Sequence, residues 1–161
     1  MALSINVSIK NQRLTIIHNN KKIRSYSVST ALKGIGQTKN SFKTPIGLHY
    51  IRVMIGKDLP KLSIFEGRRY TGKVWTKEIS ELNPDHDWIL SRILWLSGKE
   101  IGINRLGNCD TMQRYIYIHG TPNEKELGKP LSHGCIRMAN KDVIELFKLV
   151  SVGTIVHIDE K

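Results

Sequence analysis

Apolar and polar residues alternate along the first ten positions of the chain, where every second residue from 3 to 9 is apolar: Leu3, Ile5, Val7 and Ile9. A period of two is typical of a half-buried β-strand. The runs RLTII (13–17) and KIRSYSV (22–28) follow, separated by the turn-forming HNNK. The pattern predicts a meander of short antiparallel strands.

The later hydrophobic runs are also strand-like. Residues 29–45 are polar with two glycines and a proline, which predicts a long loop, and residues 46–55 (IGLHYIRVMI) are rich in β-branched and aromatic residues. WILSRILWL (88–96) fits strand or helix by periodicity, but it is short and lies between NPDHD and SG, which favours a strand. RYIYIH (114–119) and TIVHI (154–158) complete the predicted strands.

Two segments depart from the strand pattern. Residues 56–87 have little periodicity and contain Pro60, Gly67 and Gly72, so we expect a long irregular insertion that is mobile or lid-like. Residues 141–150 carry an apolar stripe at helical spacing, with Asn140 at the expected N-cap and Asp142 in the first turn. The sequence therefore predicts a mainly β domain with one clear helix near its C-terminal end.

Length and cysteine content fit a single domain spanning 1–161. A compact domain of 161 residues buries about 70% of the surface of its unfolded chain, enough to fold on its core alone. Cys109 and Cys135 are too few for a disulfide framework, although one bridge between them stays open, as does any role of Cys109 beyond that of a loop thiol. The oligomeric state is not indicated.

The start of the chain has neither the basic residues nor the unbroken apolar run of a secretory signal, and no stretch is long enough for a membrane span. We therefore expect a cytoplasmic protein without membrane insertion, or a periplasmic one if a leader precedes this sequence.

The net charge of +11 lies in the first third of the chain, because residues 1–57 hold ten Lys and Arg and no Asp or Glu. Such an excess can attract nucleic acid. The charges are scattered over strands and loops, however, and no nucleic-acid-binding motif accompanies them. A solvated basic face is the simpler interpretation, followed by attraction of a small anionic substrate, and no nucleic-acid partner is expected.

The stretch LSHGCIRM (131–138) carries the strongest chemical signal. A cysteine thiol needs a base or a cationic neighbour to become nucleophilic, and Cys135 has two candidates: His133 close by in sequence and His119 at the end of a strand. Gly120 and Gly134 permit tight backbone turns. Consecutive N–H groups around Gly134 and Cys135 can point at a developing oxyanion.

Two other interpretations of these residues compete with catalysis. His119, His133, Cys135 and either Cys109 or Asp110 have the atom types of a zinc site, but no paired metal-ligand spacing such as CxxC or HExxH is present, so no metal is expected. Cys135 as an inert buried thiol is a sound default for a lone cysteine. The inert-thiol interpretation is weakened here because Ser, His and Gly directly precede Cys135.

The run IHGTPNEKELGKPLSHGCIRM (118–138) resembles the signature of the L,D-transpeptidase catalytic domain, also called the YkuD domain. The earlier GQTKNSFKTPIGLHYI (36–51) is similar to that family's Gly-rich loop and TPxG segment, whereas residues 56–113 match least well. The resemblance implies a β-sandwich of mixed and antiparallel strands, and no cofactor.

The resemblance also implies a role for each residue of the motif. Cys135 would be the nucleophile and His119 its general base, oriented by the carbonyl of Gly120. Gly134 and Cys135, together with His133, would form the oxyanion hole. Ser132 would shape the loop or contact substrate, and Arg137 would brace the loop or meet a substrate carboxylate. His49 is a separate expectation: it follows TPIG in a predicted strand that borders the site, so we expect it to face the substrate.

The family's substrates are peptidoglycan stem peptides, cut between the L-centre of a diamino acid and the following D-alanine. Water as acceptor gives an L,D-carboxypeptidase, and an amine gives a cross-linking L,D-transpeptidase. Because no export signal is seen, we expect a carboxypeptidase that trims soluble anionic muropeptides during recycling. A cross-linking enzyme is the alternative, followed by a non-catalytic muropeptide binder or a basic nucleic-acid-binding domain. The identity of the diamino acid and any need for glycan stay open.

Overall fold

The computed structural model describes residues 3–161, so the first two residues of the alternating stretch lie outside it. The described residues form ten strands and two α-helices. The strands are β1 (Ser4–Ser8), β2 (Arg13–His18), β3 (Lys21–Ser29), β4 (Gly47–Ile55), β5 (Ser63–Glu66), β6 (Arg69–Val74), β7 (Ile89–Gly98), β8 (Tyr117–Gly120), β9 (Ile136–Met138) and β10 (Ile155–Asp159), and the helices are α1 (Lys77–Leu82) and α2 (Asn140–Leu149).

Eight of the strands close on themselves as a barrel-like sandwich. The order is β4-β10-β1-β2-β3-β9-β8-β7, and β7 pairs back to β4. The pairs β1–β10 and β8–β9 are parallel and the others antiparallel. The predicted mainly β fold with mixed strands is confirmed, as is the meander of β1, β2 and β3.

The interior of the barrel is filled by the apolar residues that alternate along each strand. Ile5, Val7, Leu14 and Ile16 of the first two strands are at most 1% exposed. Val143 and Leu146 of α2 join the same core, so the helix closes it with its apolar stripe. Within the described residues no helix is long and apolar enough to cross a membrane.

The predicted cap of α2 is wrong. Asn140 is the first residue of the helix, and Ala139, which has no capping side chain, stands at the N-cap. Asn140 is 1% exposed, and its amide donates to the carbonyl of Thr121 at 2.8 Å. A cap signal in sequence does not distinguish an exposed capping side chain from a buried polar link between two elements.

The insertion at 56–87 is more regular than expected. It contains a β5–β6 hairpin and the short helix α1, and β5 pairs with β7, which attaches the hairpin to the barrel. Gly67 and Arg68 form the two-residue turn, with φ of 54° and 65°, the left-handed conformations that such hairpins require. The strands are too short to show a period of two, which is why the sequence pattern missed them.

The strand predicted at 114–119 begins only at Tyr117. The backbone of Arg114 instead forms a turn, donating its N–H to the carbonyl of Asp110 at 2.9 Å, and its guanidinium donates to the carbonyl of Lys43 at 2.7 Å. These bonds fix Arg114 in a loop that runs directly into β8.

Candidate active site

His119 lies on β8 with its ring completely buried. Its Nδ1 is 2.7 Å from the carbonyl oxygen of Gly120. Because a carbonyl only accepts, Nδ1 carries the proton and Nε2 of the neutral ring holds a free lone pair. Nε2 is buried and, among the described residues, has no hydrogen-bond partner. One ring nitrogen is therefore held by the Gly120 carbonyl, and the other is free to accept a proton.

Cys135 lies immediately before β9 on the same face of the sheet as His119. Strands β8 and β9 are parallel, and His119 is opposite Arg137. Cys135 precedes Arg137 by two residues, and side chains two apart in a strand share a face. Cys135 also packs against the apolar cluster that contains Tyr117, two residues before His119 on β8, so the thiol and the imidazole lie on the same face, on neighbouring segments of the sheet.

Two backbone groups hold the Cys135 thiol. Its Sγ accepts the N–H of Tyr117 at 3.3 Å and donates to the carbonyl of Tyr115 at 3.4 Å. Burial raises the pKa of the Cys135 thiol to about 12, against the effect of the Tyr117 N–H, which lowers it. The Cys135 side chain is therefore a neutral thiol.

Burial also lowers the pKa of His119 below its ordinary value, against the opposing effects of the Asp87 carboxylate and the Gly120 carbonyl. The imidazole is therefore neutral at pH 7. A neutral thiol and a neutral imidazole on the same face of the sheet are the two groups required by a mechanism in which proton transfer accompanies nucleophilic attack.

The turn that carries Cys135 is built around Ser132 and Gly134. Ser132 is 1% exposed; its Oγ donates to the carbonyl of Cys135 at 2.6 Å and accepts the N–H of Gly134 at 3.2 Å. Gly134 has a φ of 130°, which favours glycine, and its carbonyl accepts the Thr44 hydroxyl at 2.9 Å. Ser132 thus shapes the loop, and the Gly134 N–H reaches an oxyanion only by exchanging its bond to Ser132.

Asp87 joins the remaining two motif residues, and sequence reasoning missed it. Its carboxylate accepts from Arg137 at 3.0 Å and lies 3.2 Å from Nδ1 of His133. Burial raises the pKa of Asp87, but the neighbouring His119, Arg137 and His133 outweigh it and lower the pKa overall. Nothing in NPDHD distinguishes Asp87 from Asp85 as a sequence signal.

Arg137 and His133 occupy different surroundings within this cluster. Arg137 is 8% exposed and also lies 3.4 Å from the carbonyl of Leu131, so it braces the loop. The His133 side chain is 57% exposed and stands at the rim of the site. The exposed rim position makes His133 a poorer candidate for the base than His119.

The predicted contact between His49 and substrate is corrected. His49 is completely buried in β4, and its two ring nitrogens lie 3.0 Å from the Gly47 carbonyl and 2.9 Å from the Thr111 hydroxyl. Burial lowers its pKa to about 4. A side chain with no exposed surface and both nitrogens engaged packs the barrel wall, so the structure does not bring His49 into the site.

The alternative metal ligands are engaged elsewhere. Asp110 accepts the N–H groups of Leu106 and Gln113 at 2.7 and 3.0 Å, and the thiol of Cys109 donates to the carbonyl of Leu106 at 3.1 Å. Both cysteines are free thiols, so the disulfide left open by the sequence does not form. Residues 3–161 contain no cluster of three or more metal-ligating side chains.

A small cavity of about 170 Å³ lies next to the nucleophile loop, with His133 on its rim. Tyr115, whose carbonyl holds the Cys135 thiol, lines it together with Lys39 and Arg114. The lining is basic, which suits the carboxylate of an anionic substrate.

The β5–β6 hairpin covers the other flank of the site with Arg68. The guanidinium donates to the hydroxyl of Tyr117 at 3.1 Å, and its Cζ lies 4.5 Å from the ring centre of Tyr115 and 5.2 Å from that of Trp95. Cation–π contacts of this kind are worth roughly 0.5–1 kcal/mol at exposed sites and more when dry. The hairpin tip therefore closes the aromatic side of the cysteine.

Comparisons with protein families and with known proteins show what this chain is similar to. The family model described as the L,D-transpeptidase catalytic domain (YkuD) matches residues 3–158. A protein of Bacillus subtilis (strain 168) named "Putative L,D-transpeptidase YkuD" is 60% identical over 42 residues, covering 26% of this chain and 26% of the relative. A Fuscovulum blasticum protein, "Putative L,D-transpeptidase in ATP synthase subunits region ORF 5", is 32% identical over 112 residues, covering 66% of this chain and 54% of the relative.

Solved structures share the fold at low sequence identity. L,D-transpeptidase 3 from Mycobacterium tuberculosis, in complex with a faropenem-derived adduct, has a TM-score of 0.61 at 15% identity, with 99% of this chain and 60% of that chain covered. An L,D-transpeptidase from Mycobacterium smegmatis has a TM-score of 0.56 at 16% identity, and the match covers 98% of this chain and 58% of that chain. This chain thus spans between a quarter and about 60% of the lengths of these relatives and neighbours.

Proposed function

We infer, because the chain belongs to the L,D-transpeptidase catalytic-domain (YkuD) family, that it is a cysteine acyl-transfer enzyme acting on peptidoglycan stem tetrapeptides. The bond cut lies between the L-centre of the diamino acid and the terminal D-alanine. The single observation that carries this proposal is the partnerless, buried Nε2 of His119 on the face of the sheet that holds Cys135.

The chemistry follows from these two side chains. As Sγ of Cys135 attacks the peptide carbonyl carbon, its proton passes to Nε2 of His119, and N–H groups of the nucleophile turn stabilise the oxyanion. The C–N bond then breaks, and the departing D-alanine amine takes the proton from Nε2. The product is a thioester on Cys135. The acceptor then attacks the thioester carbonyl carbon while Nε2 removes the acceptor's proton, and as the C–S bond breaks the departing sulfur of Cys135 takes that proton back from Nε2.

We propose water as the acceptor, so that the enzyme is an L,D-carboxypeptidase. Two features of the site support this choice. The cavity beside the nucleophile, about 170 Å³, is smaller than the roughly 300–1,000 Å³ of typical ligand pockets. Arg68 closes the opposite flank over Tyr115 and Trp95, which leaves little room for a second stem peptide.

An amine acceptor, which would make the enzyme a cross-linking L,D-transpeptidase, is the second candidate. It is favoured by the names of the relatives, which are those of L,D-transpeptidases. The same thioester serves both reactions, so only the product distinguishes them.

Incubation with a soluble tetrapeptide, followed by mass analysis, tests the proposal. Tripeptide and free D-alanine without dimers support the carboxypeptidase, and dimers support the transpeptidase. If the substrate stays unchanged with folded wild-type protein, both candidates fail and a non-catalytic muropeptide binder becomes the better hypothesis. The Cys135→Ala variant is the control, because product formed at the wild-type rate by that variant would contradict the cysteine mechanism.

Cytoplasmic recycling of soluble muropeptides is part of the same proposal. It follows from the predicted water acceptor, since trimming of a released peptide does not need the amine of a second peptidoglycan strand. Cell fractionation with an antibody to the chain checks it, and recovery in the periplasm would contradict it.

A further inference from the structure

Strand β7 contains a bulge that the proposed chemistry does not use. Its pairing with β8 skips two consecutive residues, Ser91 and Arg92. Ser91 has a φ of 72°, a conformation that costs a non-glycine residue roughly 1–2 kcal/mol. Its hydroxyl donates to Oδ1 of Asn140 at 2.6 Å and accepts the N–H of Leu62 at 3.0 Å. Strain held by buried bonds, in a bulge that re-aims a side chain, is characteristic of functional positions.

The side chain that the bulge re-aims is Arg92, which is 6% exposed. Its Nη1 donates to the carbonyl of Ser91 at 2.6 Å, and its Cζ lies 5.5 Å from the ring centre of Phe147. None of the ion pairs formed by the described residues includes Arg92. A guanidinium has five N–H donors and a fork that fits a carboxylate. The Asp58 carboxylate acts on Arg92 only from beyond ion-pair distance, so no carboxylate occupies the fork of this buried arginine, which has unused binding capacity.

The neighbouring chain packs closely onto this arginine. Gly56 has a φ of 112°, and a Cβ added there would lie 3.1 Å from both Cδ of Arg92 and the carbonyl oxygen of Ser91. The stem of Arg92 is therefore held between the bulge and residue 56, which fixes the position of its guanidinium.

Arg92 lines a cavity of about 520 Å³, within the range of small-molecule sites. Its lining combines an apolar wall with an excess of positive charge. The apolar residues are Met54, Phe147, Val150 and Val152, and the other charged residues are Lys57, Lys148 and Asp58. None of the residues that form the cysteine site lines this cavity.

We propose that this cavity binds a small organic carboxylate, whose anionic group pairs with Arg92 and whose apolar part lies on Phe147 and Met54. Three cations against one carboxylate provide the charge complementarity. A free fatty-acid-like carboxylate and the C-terminal carboxylate of a peptide share this chemistry. The site is separate from the cysteine, so it does not rest on the proposed acyl transfer.

An NMR titration of the full chain tests the site with three probes: octanoate, its neutral counterpart octanol, and N-acetylphenylalanine as a peptide-type carboxylate. Octanoate is expected to shift the amide signals of Phe147 and Val152 saturably. Octanol should bind at least about tenfold more weakly, because hydrogen bonds to charged groups contribute roughly 1.5–3 kcal/mol. Tighter binding of N-acetylphenylalanine than of octanoate would identify the peptide-type carboxylate, and the reverse would identify the aliphatic one.

Arg92→Gln should weaken octanoate binding by the same factor or more. Because a buried position tolerates substitution poorly, Val152→Glu provides a second variant: Val152 is 59% exposed on the cavity wall, and a carboxylate there repels the ligand. Val74→Glu, on β6 outside the cavity, is the matched control and should bind normally. Equal affinity for octanol and octanoate, unchanged binding by Val152→Glu, or shifts centred on Tyr117 instead would each overturn the proposal.

Discussion

The Nδ1–H of His119 donates to the carbonyl of the next residue, Gly120, over 2.7 Å. This single bond fixes the tautomer and restrains the rotation of the ring, so that Nε2 carries a free lone pair. The orienting group is a backbone carbonyl, so the orientation of the His119 ring depends on the backbone geometry of residue 120.

Gly120→Ala is expected to reduce both stability and activity. An added Cβ would lie 2.3 Å from Oδ1 of Asn140 and 2.7 Å from the carbonyl of Leu90, so the backbone must shift. Overpacking of this kind costs roughly 1–3 kcal/mol in the free energy of unfolding, and a displacement of about 1 Å in an active site costs about 100-fold in rate. Urea denaturation and D-alanine release measure the two effects. Glu126→Ala, on an exposed turn, should change neither, and a fully active Gly120→Ala enzyme would contradict the orienting role.

Stability should fall as the pH is lowered from 6.5 to 4, because of buried His49. Its pKa in the folded state is lowered to about 4, whereas the unfolded value is about 6.5. The folded state therefore binds fewer protons in this window, and the contribution, complete above pH 6.5, is lost as the pH falls. The expected loss is about 3 kcal/mol by urea denaturation. In His49→Gln the free energy of unfolding should depend less on pH than in wild type or in the control His86→Gln, which changes an exposed residue. Equal slopes of the free energy of unfolding against pH in all three proteins would contradict this prediction.

Asp87→Asn should shift the acid limb of the pH–rate profile to lower pH. The Asp87 carboxylate raises the pKa of His119, so its removal lowers that pKa further. The substitution also removes the ion pair with Arg137. The expected loss in the free energy of unfolding is only roughly 1 kcal/mol, because the Asp87 side chain is 38% exposed and the pair is partly screened by solvent. The profile of D-alanine release against pH checks this effect, with exposed Asp85→Asn as the matched control. An unchanged acid limb would show that Asp87 acts only by packing.

Arg68→Ala should raise the fraction of acyl-enzyme that is captured by an amine. The guanidinium closes one flank by its contacts with Tyr117, Tyr115 and Trp95, and its loss opens room for a larger acceptor. Mass analysis with tetrapeptide and added D-amino acid measures the ratio of exchanged product to tripeptide. Neighbouring exposed Arg69→Ala should keep the wild-type ratio. If both variants hydrolyse and transfer in the same proportion as wild type, the hairpin tip does not select the acceptor.

Many strands of this fold can be predicted from the sequence, because their residues alternate with a period of two or form runs rich in β-branched side chains. The alternation at 3–9 and the β-branched run at 46–55 predict strands because each puts one face in the core, and both strands form. The hairpin at 63–74 was missed because strands of four and six residues carry too little periodicity. The closure of β7 onto β4 brings together residues about forty positions apart, which no local pattern encodes.

The site is predictable to the extent that its chemistry is local. Cys135, Gly134 and Ser132 are contiguous, and their turn is built from bonds among themselves. Asp87 and Arg68 reach the site only through the fold, because one precedes β7 and the other stands at the tip of a hairpin. His49 fits a substrate-facing position in sequence, yet the side of the strand it occupies is set by pairing with β10 and β7.

The assignment of nucleophile and base is tested most directly by the rate of D-alanine release from a soluble tetrapeptide, compared between His119→Gln and His133→Gln. Loss of a general base typically costs between 100- and 10,000-fold. We predict a fall of at least about 100-fold for His119→Gln and a much smaller one, below about tenfold, for the rim residue His133. Full activity of folded His119→Gln enzyme together with an inactive His133→Gln enzyme would contradict the account.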